Sequence, residues 1–101
     1  MAEIIEDRDY LLSENERLAV KVIKVSKEDS PFGYKVKFQF MVFKYGKWHT
    51  VVRVDNTRHK SKVPSLHIHR IDKEKVEEIE MHLWDVGNYV IKLGRKLKRL
   101  L

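Results

Sequence analysis

Hydrophobic and polar positions alternate most clearly over residues 34–45, YKVKFQFMVFKY. Tyr34, Val36, Phe38, Phe40 and Val42 fall on one side, and Lys35, Lys37 and Gln39 on the other. That period of two predicts a half-buried strand with one wet face. Met41 and Phe43 break the polar side near its end. Gly46-Lys47 reads as a tight hairpin turn, because glycine adopts positive φ at no steric cost. Residues 48–54, WHTVVRV, then form the return strand, paired antiparallel to the first. The β-branched run 18–25 (LAVKVIKV) and the short run 66–71 (LHIHRI, after Pro64) predict two more strands.

From Asp72 onward the period changes. Val76, Ile79, Leu83, Val86, Val90, Leu93, Leu97 and Leu100 follow alternating steps of three and four, one apolar stripe of a helix. Asp72 is a fitting N-cap for a helix over 73–99. Acids crowd its first turns (Glu74, Glu77, Glu78, Glu80) and bases its last (Lys92, Arg95, Lys96, Lys98, Arg99), as the helix dipole favours. Gly87 and Gly94 each weaken the helix by about 1 kcal/mol relative to alanine, and they permit close approach of another element. Trp84, Tyr89 and Ile91 lie off the stripe, a second apolar face that suits a homodimer contact. Residues 1–17 read ambiguously, as a short strand or helix around Ile4-Ile5 followed by a turn near Ser13-Glu14-Asn15. The expected architecture is a single α+β domain over 1–101, with an antiparallel sheet of about four strands (18–25, 34–45, 48–54, 66–71). The long C-terminal helix packs on one sheet face, leaving the other open.

Composition narrows the classes. At 101 residues there is room for one domain, and 43% hydrophobic with 36% charged residues is globular with a dense ionic surface. The Lys/Glu-rich composition is one that heat-adapted proteins favour. The absence of cysteine excludes disulfides, thiolate zinc sites and cysteine nucleophiles. No apolar run approaches the roughly 20 residues needed to span a bilayer, so no membrane association is expected. The acidic start MAEIIED is unlike a signal peptide, and a cytoplasmic location is expected. The net charge of +6 is unevenly spread: residues 31–71 carry nine basic side chains and one acidic, whereas 1–30 and 72–91 are both net acidic.

The candidate chemistry lies within that basic stretch, in VVRVDNTRHKSKVPSLHIHR (51–70). On strands, His67 and His69 share a face, as do Arg53 and Asp55, and the loop between makes the two strands candidates for neighbours. Converged on a wet sheet face, these four can cleave RNA without metal or other cofactor. One imidazole takes the 2′-hydroxyl proton, a second acid protonates the leaving oxygen, and Arg53 stabilises the phosphorane. Imidazole suits both proton transfers because it titrates near neutrality. Asp55 orients a histidine or arginine, and Arg58, His59, Lys60, Lys62 and Arg70 steer the nucleic-acid backbone. The same His-x-His with Asp55 or His59 can instead supply three ligands to a metal. Asp55-Asn56 is also a plain turn signal, and a His-x-His on a basic strand is also a solvated face. His49, beside Trp48, reads as structural, and His82 as facing solvent.

The succession of hairpin, VVRVDN, polar loop with histidine, and HIHR resembles the TumE-type family, small prokaryotic toxin components of toxin–antitoxin pairs. Arg53, Asp55, Asn56, His67 and His69 match its R-x-D-N step and following H-x-H, and Arg70 falls where the family carries a further polar residue. The match covers residues 18–71; the Lys-rich loop after Asn56 and the long helix depart from it. The resemblance implies an RNA target and an antitoxin protein as partner. The leading reading is thus an RNA-directed, ribonuclease-like toxin component. The alternative is a non-catalytic module that binds nucleic acid or protein and dimerises through its helix. A metal-dependent hydrolase is the third.

Overall fold

A computed structural model describes residues 3–25, 33–56 and 66–101. Six strands pair in the order in which they occur: β1 (Glu3–Ser13), β2 (Glu16–Lys24), β3 (Tyr34–Lys44), β4 (Lys47–Asp55), β5 (Leu66–Arg70) and β6 (Glu77–Ile79). Every pairing is antiparallel. An α-helix, α1 (Leu83–Leu97), the one α-helix among the described residues, follows and ends in a 3₁₀ turn over Lys98–Leu100. Among the described residues no helix is long and apolar enough to cross a membrane.

The expected sheet of about four strands is corrected to six. β1 is added in the ambiguous N-terminal stretch. Its EIIEDRDYLLS does not alternate in hydropathy because almost every residue is exposed, so no buried face imposes a period of two. β6 is added inside the expected helix. The helix boundary 73–99 is corrected accordingly, with α1 starting ten residues later. Val76 and Ile79 fit the three-four spacing, but the Ile79–Leu66 cross-strand pair draws this segment onto the edge of β5. Pairing there outweighs the helix propensity of the glutamates. Asp72 therefore caps nothing. His82 is the N-cap, its Nδ1 accepting the Trp84 N–H at 3.4 Å.

The β3–β4 turn is centred on Tyr45 and Gly46, both at positive φ (55° and 76°). Two such residues match the right-handed twist of the flanking strands, the geometry that favours two-residue hairpins. Val20, Val36, Phe38, Phe40, Val52, Val54 and Ile68 form the core on one face of the sheet, closed by Val86, Val90 and Leu97 of α1. The helix lies over β3 and β4. It comes close because residue 94 is glycine: a Cβ there would sit 2.5 Å from Phe40 Cγ and 2.8 Å from Cε1.

The far end of α1 is tied down by Glu16, which is 3% exposed. Its Oε1 accepts from Arg95 Nη2 (3.1 Å) and Ser13 Oγ (3.1 Å), and its Oε2 accepts from Lys98 Nζ (2.9 Å). Burial pushes the Glu16 carboxyl up, but the hydrogen bonds from Lys98, Arg95 and Ser13 together outweigh it and hold the group below its ordinary value. A carboxylate with a depressed folded-state pKa stabilises the fold above its unfolded pKa, and that contribution disappears as pH falls through the folded value. Glu16→Gln is therefore expected to cost about 1–2 kcal/mol at pH 7. The gap from the parent protein should close on acidification below about pH 4. Urea melts of both proteins across pH 3–7 check this; a gap that persists at the acid end contradicts it.

Candidate functional site

β4 and β5 bring the sequence-predicted residues to the face opposite α1. Arg53 stands across from His69, and Asp55 across from His67. Because opposed residues share a face, all four point away from the core. Asp55 is central. Its Oδ2 lies 3.2 Å from Arg53 Nε and 3.6 Å from His69 Nε2. Asp55 is 7% exposed and His67 6%, whereas the His69 side chain is one-third exposed. His67 Nε2 lies 3.9 Å from Glu78 Oε1 of β6. His69 is therefore the imidazole that a ligand meets first.

Arg53, Asp55 and His69 line an open cavity of about 540 Å³. Its other walls include Lys21 of β2 and Lys35 and Lys37 of β3. The register explains the assembly: Lys21 opposes Lys37, and Lys37 opposes Asp55, so one row of side chains crosses four strands from Lys21 to His67. Four cations thus surround one carboxylate and one histidine. Alternation alone puts Lys35 and Lys37 on a wet face without giving them a role, and it does not connect Lys21 to them. The signal is the shared alternation of 18–25 and 34–45; the missing information is the pairing register.

Of two further residues of the matched pattern, Asn56 lines the same cavity but is engaged in backbone pairing, and Arg70 lies on the other face. Asn56 extends the ladder beyond the end of β4: its Oδ1 accepts the Val36 N–H at 2.8 Å, and its Nδ2 donates to the Tyr34 carbonyl at 2.6 Å. A side-chain amide is the only side-chain group that offers both a donor and an acceptor in this geometry. Asn56→Ala is expected to lower stability by about 1–3 kcal/mol through two unpaired backbone groups. Hydrogen exchange should rise at the Val36 amide in particular, and unchanged protection there would rule out this role. Arg70 opposes Val52 and so lies on the helix side of the sheet. Its guanidinium grips Asp72 in two bonds, Nε–Oδ1 at 2.9 Å and Nη2–Oδ2 at 2.8 Å. That grip raises the Arg70 pKa and lowers that of Asp72. It places Arg70 away from the cavity. Arg58, His59, Lys60 and Lys62 lie outside the described residues.

The arrangement offers a carboxylate that orients an imidazole, a guanidinium beside both, and lysines spaced for anionic oxygens. Among the described residues, no group of three or more His, Cys, Asp or Glu side chains is arranged to hold a metal ion. Compared with models of protein families, with curated proteins and with solved structures, the chain matches none.

Proposed function

We propose that the protein is an RNA-directed, ribonuclease-like component of a cytoplasmic toxin–antitoxin pair, in line with its TumE-type resemblance. The observation that carries the reading is the cationic cavity around Asp55 and His69. In this reading His69 takes the proton of a ribose 2′-hydroxyl, and the freed oxygen bonds to the adjacent phosphorus. The bond from phosphorus to the 5′-oxygen breaks, and water in the open cavity gives a proton to the leaving oxygen, the hydroxide formed being neutralised by the proton on His69; His67, 6% exposed, is not among the cavity walls. The products are a 2′,3′-cyclic phosphate and a 5′-hydroxyl end. Arg53 stabilises the charge on the non-bridging oxygens. Lys21, Lys35 and Lys37 hold neighbouring phosphates.

A labelled RNA pool incubated with the protein, with and without EDTA, tests this beside His67→Ala/His69→Ala. The expected result is cleavage that survives EDTA and falls by a factor of about 10²–10⁴ or more in the variant. Full cleavage by a folded double variant sinks the proposal. Cleavage lost to EDTA transfers the histidines to a metal. The excess of cations over the single carboxylate also favours a second reading, a nucleic-acid-binding module without catalysis. Steeply salt-dependent RNA binding with no cleavage in any lane would select it.

A further inference from the structure

The outer edge of β1 has the features of a docking strand. Among the described residues β1 pairs only with β2, and its other side is the edge of the sheet. Its register with β2 is regular from Glu6 to Leu11, between two bulges. Exposed apolar side chains are concentrated on it: Ile4 is 65% exposed and Leu11 68%. Because α1 lies over β3 and β4, the same side of β1 and β2 is left as a groove of about 380 Å³. Tyr10, Leu12, Leu18 and Ile91 line it, with Trp84, 75% exposed, at its rim.

Charge and alternation indicate what fits. β1 carries Glu3, Glu6, Asp7 and Asp9 against one base, Arg8, in a chain of net charge +6. Asp7 and Asp9 oppose Lys21 and Ala19, so they stand on the open face, while Tyr10 opposes Leu18 on the groove face. A strand added to β1 therefore meets Tyr10 beside Glu6 and Arg8, at the lip of the apolar groove, with one set of side chains, and Asp7 and Asp9 with the alternate set. An antiparallel pairing of two copies of β1 about Arg8 sets Asp7 against Asp9 twice, and like charges directly opposed are unfavourable. RNA is repelled by the same acids.

We propose that this edge binds an extended segment of a protein partner, alternating apolar and basic side chains, as a seventh strand of the sheet. The inference is independent of whether the chain cleaves RNA. A fluorescent peptide of about ten residues alternating valine and lysine is the probe. Anisotropy should report binding that weakens about tenfold or more in Asp7→Lys/Asp9→Lys. Binding should also weaken in Trp84→Ser, and with a probe N-methylated at alternate amides, which cannot donate to an edge. Circular dichroism confirms that each variant is folded. A valine–glutamate peptide that binds equally well overturns the proposal, as does undiminished binding by the charge-reversed variant or no binding of the lysine probe. Concentration-dependent dimerisation that disappears when Trp84 is replaced overturns it in favour of a second copy of the chain.

Discussion

Gly94→Leu is expected to leave the protein largely unfolded at room temperature, and Gly94→Ala to lower its melting temperature markedly. The alanine Cβ meets the Phe40 ring at three carbons, closest at Cδ1. Phe40 is fully buried in the middle of β3 and cannot swing aside. Overpacking of this kind costs about 1–3 kcal/mol or more. Alanine gains back about 1 kcal/mol in helix propensity, so Gly94→Ala should lose a few degrees up to roughly 15 °C at 4–8 °C per kcal/mol. Leucine adds three more carbons to the same clash, which consumes much of a domain stability of about 5–15 kcal/mol. Phe40→Leu in the Gly94→Ala background should restore part of the loss, a coupling that purely additive effects cannot produce. A Gly94→Ala protein melting at or above the parent temperature refutes the close helix–sheet contact.

In the RNA-cleavage reading, the second large effect is at Asp55. Asp55→Asn keeps the volume but replaces an acceptor-only group with an amide that must present either oxygen or donors to Arg53 and His69. The imidazole loses the carboxylate that stands beside its Nε2. Where a carboxylate holds a general base in this way, its amide lowers turnover by up to about 10⁴. Cleavage should fall by a factor of roughly 10²–10⁴ while RNA affinity changes little, since the lysines are untouched. Asp55 acts through His69, so its loss should also displace the acidic limb of the pH–rate profile, the one that reports the base. Full activity of Asp55→Asn, or a loss confined to RNA affinity, excludes the positioning role. Charge reversal at Lys21 and Lys37 should show the opposite split, with weaker binding and a shallower salt dependence.

The parts of the fold legible in the sequence are those where one face is buried and the other wet. β3 alternates because Val36, Phe38 and Phe40 are buried in the core while Lys35 and Lys37 meet solvent. β4 follows from its turn. β1 is illegible for the opposite reason: exposed on both sides, it is defined by hydrogen bonding to β2, which leaves no mark on hydropathy. In 72–82 the three-four spacing of Val76, Ile79 and Leu83 bridges a strand and a helix, and only the partner strand β5 decides between them. The shared face of Arg53, Asp55, His67 and His69 follows from alternation. The neighbourhood of Lys21 and Lys37, and the departure of Arg70 to the other side, follow from register, which a single chain does not spell out. Asn56 looks like part of the chemical pattern, yet in the fold its amide takes the place of a further residue of backbone pairing.

The strictly sequential pairing of the strands has a consequence for how the chain is made. Each hairpin can close as soon as its second strand leaves the ribosome, since no strand waits for a distant partner. The helix that covers Phe40, Val52 and Val54 follows all six strands. During synthesis, a paired sheet thus presents its greasy side to water before its lid exists. That interval is when the nascent protein is most exposed to chaperones and to its own neighbours on a polysome. Slowing translation through the codons of α1 should lengthen it and lower soluble yield, while the same slowing within β1 should not.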